Sequence, residues 1–170
     1  MGDKNAARKP PRRTRERILE ASLRLFNEYG EPNVTTQLIS DDLGISPGNL
    51  YYHFRSKDEI IESLFADFER RIEDTLAAPE RRLPDVEDVW LFLHLVFESV
   101  WDYRFLYRDL NDLLSRNRLL ETHFQRILRH QIHTAELICD GLVASGQMRA
   151  SRGEIHSLAV TMTMTATYWL

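Results

Sequence analysis

Apolar side chains return every third or fourth position along almost the whole chain, and alternating β-branched runs are absent. That periodicity restricts the fold to packed helices, so an all-α architecture is expected. A hydrophobic share of 43% in 170 residues excludes a wholly disordered polymer and is enough for one or two cores. The single Cys139 excludes an internal disulfide framework and points to a reducing compartment. No apolar stretch follows the basic residues Met1 to Arg17, so a secretory signal is not expected. The longest run without Asp, Glu, Lys, Arg or His, Ser157 to Leu170, has 14 residues, below the ~20 that a membrane helix needs. These readings together predict a soluble cytoplasmic protein.

Charge is unevenly placed. The chain totals −4, but residues 1–17 carry +5, residues 1–57 carry +3 and residues 58–170 carry −7. A basic front on an acidic body suggests a polyanion partner at one end. Pro10-Pro11 predicts that residues 1–13 form a basic, disordered arm.

Helix signals follow in order. Thr14 is a candidate cap for a helix from about Arg15 to Tyr29, stopped by Gly30. Thr35 caps a very short helix whose stripe is Leu38, Ile39 and Leu43, and Gly44 ends it. Ser46 caps another short helix, with Pro47 at its first position, running to about Phe54. Ser56-Lys57-Asp58-Glu59 has capping-box spacing and opens a helix to about Leu76. Residues 77–84, with two prolines, read as a linker and domain boundary. This gives one helical domain at 14–60, linked through helix 57–76, and a second helical domain at 84–170. Four helices are expected there: about Val86–Tyr103, Phe105–Ser115, Arg118–Ala144 and Arg152 onward, the last with a Ser151/Glu154 capping box. Its apolar end, Tyr168-Trp169-Leu170, leads us to expect a chain that continues past Leu170 and a helix that packs on another subunit.

Two short helices joined by Gly44-Ile45-Ser46 fit the helix-turn-helix plan, whose second helix enters the DNA major groove. Gly44 permits a left-handed corner, while Ile45 and Leu50 point back to the core. Gly48 allows close backbone approach to a base, and the Asn49 amide matches adenine. Tyr51, Tyr52 and His53 share one turn. Half-buried packing is the plainer account of them, but three polar-tipped aromatics flanked by Ser46 and Lys57 favour phosphate and thymine-methyl contact.

These residues give the chain its resemblance to the tetracycline-repressor (TetR) family of bacterial regulators. The resemblance rests on Arg15, Ile18-Leu19, Ala21, Leu25-Phe26, Gly30, Thr35-Thr36, the unbroken run Leu43 to Phe54, and Ser56-Lys57, over about residues 12–64. A softer likeness to one subgroup lies in Tyr107-Arg108-Asp109-Leu110 and Leu113-Leu114. By position, the resemblance implies that Gln37, Pro47, Gly48 and Asn49 sit at base edges. It implies phosphate contacts from Thr36, Ser46, Tyr51, Tyr52, His53 and Lys57, with Arg12 and Arg13 reaching a flanking groove. Gln37 stands where many members carry Arg, which weakens a guanine contact. Ser40 stands where Ala is usual and is expected to back-bond within its own helix.

The resemblance further implies that 14–60 is the DNA-binding domain and 84–170 the helical regulatory and dimerisation domain, with a homodimer formed through the C-terminal helices, a near-palindromic double-stranded operator, and a small apolar effector that releases the DNA. Trp90, His94, Phe97, Trp101, Tyr103 and Tyr107 are the candidate ligand contacts, although core packing is the commoner fate of any one of them. No cofactor and no metal are expected: His130 and His133 lie three apart, but nothing near them supplies further ligands. Cys139 reads as a small buried side chain. A nucleophile elbow, a Gly-rich phosphate loop and a metal motif are all missing, so an enzyme is not expected. The competing class is a DNA-binding interaction protein whose C-terminal domain docks another protein and takes no small effector.

Overall fold

In the computed structural model, residues 11–77 and 85–169 are described. The basic segment 1–10, the linker residues 78–84, Leu170 and the side chain of Arg12 lie outside the described residues. The described chain is helical: α1 (Pro11–Tyr29), a 3-10 turn (Glu31–Asn33), α2 (Thr36–Leu43), α3 (Pro47–His53), α4 (Lys57–Leu76), α5 (Val86–Asp102), α6 (Arg104–Arg108), α7 (Leu110–Arg116), α8 (Arg118–Ala144) and α9 (Arg152–Tyr168). None of the helices, among the described residues, is long and apolar enough to cross a membrane.

Two compact units divide the chain at Leu64/Phe65, within α4. The sequence placed that boundary at residues 77–84. The difference arises because Phe68, Ile72 and Leu76 continue the buried stripe of α4 beyond the division, so one helix serves two cores.

In the first unit, Ile18, Leu25 and Phe26 of α1, Val34, Ile39 of α2, Leu50 of α3 and Phe54 are almost fully buried with Ile60, Ile61 and Leu64 of α4. Burying each such side chain stabilises the fold by roughly 1.5–3 kcal/mol. Helix α1 begins at Pro11, so Arg12 and Arg13 belong to its first turn rather than to an extended arm, and Thr14 is not its cap. Proline explains the earlier start: its fixed φ suits a first helical residue, and its missing N–H is not needed there.

The second unit is held by an aromatic chain. Phe68 contacts Tyr103 and Tyr107 at centroid distances of 5.6 and 5.8 Å, and Tyr107 contacts Phe124 at 5.8 Å. Helix breaks here follow local rules. Asp85/Asp88 and Ser151/Glu154 form complete capping boxes at α5 and α9, and Asn117 Oδ1 caps α8 by accepting from Leu119 and Leu120. The expected helix Phe105–Ser115 is split at Asp109, whose φ and ψ are −104° and 17°. Phe105, Leu106 and Tyr107 are consecutive and all buried, which a single-faced helix cannot accommodate. Helix α8 packs most extensively on α9. Glu136 and His156 link the two at 2.7 Å.

Candidate nucleic-acid interface

The corner between α2 and α3 is built from short-range bonds. Thr35 Oγ1 accepts from the Leu38 amide at 3.1 Å and starts α2. Gly44 closes α2 at φ 62° and ψ 36°, with its N–H donated to Asp41 and the Ile45 N–H to Ser40. Ser46 Oγ then accepts from the Asn49 amide at 3.2 Å and starts α3 behind Pro47. Ser40 Oγ donates to the Thr36 carbonyl at 2.9 Å, the back-bond its sequence position suggested.

Only Leu50 of α3 is buried, joined by the capping Phe54. Ser46, Pro47, Gly48 and Asn49 are exposed, as are Tyr51 (49%) and Tyr52 (81%), while His53 is half-buried with its ring edge-on to Tyr52 at 5.1 Å. A Cβ at Gly48 would meet nothing closer than Ser46 Oγ at 4.0 Å, so no protein atom forbids a side chain there. Tyr51 OH and Thr36 Oγ1 lie 3.0 Å apart, which fixes the phenol across the ends of α2 and α3. Exposed Gln37 donates to Asp41 at 2.8 Å. Arg13 is exposed on α1.

Around this face the unit is pinned by charge. Arg24 reaches both Asp42 oxygens at 2.6 Å, tying α1 to α2. Arg15 donates to Ser63 Oγ at 3.1 Å and stacks over the Phe54 ring at 4.7 Å. Lys57 behaves differently from the expectation of a phosphate contact. Its ammonium pairs with Glu31 at 2.7 Å and donates to the carbonyls of Glu31 and Val34, both at 3.1 Å. Two carbonyl hydrogen bonds and one close ion pair hold the ammonium inside the protein, so the residue acts as an internal clamp.

In the second unit the six expected ligand contacts fall on different faces. Trp90 (67% exposed), His94 and Trp101 (52% exposed) lie on the outer face of α5, where Trp90 stacks on His94 at 5.2 Å and Arg104 covers Trp101 at 4.8 Å. Phe97 is half-buried, edge-on to Trp169 at 5.3 Å. Tyr103 and Tyr107 belong to the aromatic core, and burial pushes both phenols above their ordinary pKa. A cavity of about 530 Å³ in this unit has none of these six in its walls; α7, α8 and α9 line it instead. Helix α5 is apolar on more than one side, so periodicity alone does not say which face turns inward. Along α8, Glu121, Phe124, Gln125, Leu128 and Ile132 recur at helical spacing and line this cavity with Val160, Thr163 and Thr167 of α9.

Cys139 is buried, and its thiol is raised by that burial and by Asp140. Among the described residues, no group of three His, Cys, Asp or Glu is placed to hold a metal ion.

A three-helix unit with an exposed second helix after a glycine corner is the plan of a helix-turn-helix protein. Residues 18–64 match the family described as "Bacterial regulatory proteins, tetR family", and residues 67–170 match "Bacterial transcriptional repressor" of the same TetR grouping. The chain belongs to the TetR family. It is 36% identical to a TetR-family transcriptional regulator from Marinobacter aquaeolei, with a TM-score of 0.86 over 92% of this chain and 77% of that one. It is also 31% identical over 80 residues to the transcriptional repressor KstR2 of Mycolicibacterium smegmatis, a match covering 43% of this chain and 39% of that protein. The transcriptional regulator UidR of Escherichia coli is 38% identical over 58 residues, 34% of this chain and 30% of its own length. The chain thus spans well under two thirds of these two relatives.

Proposed function

We propose that the chain is a cytoplasmic transcriptional repressor that binds double-stranded DNA as a homodimer and is released by a small, largely apolar ligand. The observation that carries this reading is the division of labour in α3: Leu50 anchors it while Ser46, Pro47, Gly48, Asn49, Tyr51 and Tyr52 stay exposed. Capping explains Ser46 and Pro47 and a bond to Thr36 holds Tyr51, but the exposed Gly48, Asn49 and Tyr52 contribute nothing to the unit's core. In this reading Gln37, Pro47, Gly48 and Asn49 meet base edges, and Thr36, Ser46, Tyr51, Tyr52 and His53 meet the backbone, with Arg12 and Arg13 at a flanking groove. Lys57 serves from inside, by holding the frame.

Dimerisation is supported by exposed apolar residues on the last two helices: Leu137 of α8, and Leu158, Met164 and Tyr168 of α9. Two-fold symmetry then sets two α3 helices on two half-sites. The cavity among α7, α8 and α9 supports the effector role, because its size is that of small-molecule sites. An effector acts only through a difference in affinity between DNA-competent and DNA-released states.

The test is selection of bound sequences from random duplex DNA at low salt. A two-fold symmetric consensus is expected, with affinity falling steeply as salt rises. A consensus without symmetry refutes the dimeric reading, and no enrichment refutes DNA binding.

A further inference from the structure

The cavity of about 530 Å³ lies wholly within the second unit. Leu110, Leu114, Phe124, Leu128, Val160 and Met164 supply apolar wall, and Asn111, Gln125, Thr163 and Thr167 supply neutral polar edges. One lining side chain, Glu121, is acidic, and among the described residues no Lys, Arg or His lines the cavity. Glu121 is half-buried on α8, and Gln125 Nε2 stands 3.5 Å from its Oε1, a neutral donor that leaves the charge uncancelled. The guanidinium of Arg126, a little further along α8, is committed to Glu69 and Glu73 at 2.9 and 2.8 Å.

We propose that this cavity selects a hydrophobic cation: an apolar body bearing one protonated amine or quaternary ammonium seated against Glu121. The inference rests on the effector role given to the cavity above and names the chemistry of that effector. An anionic amphiphile entering here loses hydration and meets a carboxylate with no lining cation to offset it. A neutral one meets only apolar wall and amides. A cation exchanges part of its hydration for an ion pair at a site partly shielded from water. Charge, more than shape, is therefore what this cavity discriminates.

The test measures binding of decylammonium, decanol and decanoate, all as monomers, to the full chain by calorimetry without DNA. Decylammonium is expected to bind about tenfold tighter than decanol, an increment typical of one shielded ion pair, and decanoate more weakly than both. Glu121→Gln is expected to bring the three within about twofold, while Leu128→Trp or Val160→Trp weakens all three by filling the cavity. Unchanged melting of each variant excludes misfolding as the cause. Equal or tighter binding of decanoate, an unaltered order in Glu121→Gln, or no binding of decylammonium overturns the proposal. These outcomes are separate from DNA selection: a chain that enriches a symmetric duplex yet ignores decylammonium loses only the cation, and one that takes decylammonium yet enriches no duplex loses only the DNA reading.

Discussion

Lys57 Nζ sits 2.7 Å from Glu31 Oε1, on a carboxylate side chain only 1% exposed. The same ammonium donates to the carbonyls of Glu31 and Val34, so the first residue of α4 staples the turn between α1 and α2. Removing one member of such a pair leaves the other charge buried without it, which costs several kcal/mol in a dry interior. Lys57 is itself about one quarter exposed, which moderates the loss.

Lys57→Met is therefore expected to destabilise the first unit by about 2–3 kcal/mol, read as a lower urea midpoint. The salt dependence of DNA binding separates a clamp from a phosphate contact. Loss of a phosphate contact would reduce the slope of log affinity against log salt by about one. The clamp predicts an unchanged slope once folded protein is compared, and partial rescue of stability in the double variant with Glu31→Gln.

Two glycines on either side of Ser46 give opposite expectations. Gly44 holds φ at 62° with open space where a side chain would stand. Gly44→Ala thus meets no clash, only the cost of a left-handed backbone, about 1–2 kcal/mol. Gly48 has a helical backbone and comparable room, so Gly48→Ala should leave stability equal or raise it by up to about 1 kcal/mol. If backbone at residue 48 approaches a base, the same change weakens operator binding by tenfold or more, an order-of-magnitude figure for one lost close contact. Equal stability with undiminished DNA binding would remove Gly48 from the interface.

Asn49 is the residue expected to read a base. Asn49→Ala should flatten preference at one position of each half-site, a loss of about 1–3 kcal/mol against the preferred base, with little change for unrelated sequences. Repeating the duplex selection with the variant checks this. Uniform weakening at every position would assign Asn49 to the phosphate backbone instead.

What the sequence made legible was local. The caps Thr35, Ser46 and Ser151, the glycine at 44 and the proline at 47 each act within four residues, and each stands where its spacing indicated. Glu59 shows the limit even there: its amide bonds Ser56 Oγ, yet its carboxylate accepts from Arg55 N–H at 2.6 Å rather than closing a box on Ser56. Long-range partners were hidden. Glu31 lies 26 positions before Lys57, and no periodicity links them, so a basic residue beside a recognition helix read as a phosphate contact. Helix α5 was harder to read: it offers apolar residues to several directions, and only packing decides that Val96, Ser99 and Val100 go inward while Trp90, His94 and Trp101 stay exposed. DNA-facing candidates on α3 were readable because so short a helix has one anchor, Leu50, and everything else must face out.

Tyr107 supplies the pH prediction. Its ring is nearly buried between Phe68 and Phe124, and burial alone drives the phenol well above its ordinary value. The folded chain therefore keeps this proton at a pH where the unfolded chain has released it. Stability from the neutral phenol is complete below the unfolded value of about 10 and falls as pH climbs from there toward the raised folded value. The slope for one such group is about 1.4 kcal/mol per pH unit. Tyr107→Phe keeps the aromatic packing and removes the ionisable oxygen. Its urea midpoint should match wild type near neutrality and decline less steeply between about pH 10 and 11, by roughly that slope. Tyr103, raised by burial first and by Asp67 second but more accessible, should give a smaller effect when changed to Phe. Parallel alkaline limbs for wild type and Tyr107→Phe would mean that water reaches the phenol and that the aromatic chain is looser than Phe68, Tyr107 and Phe124 make it.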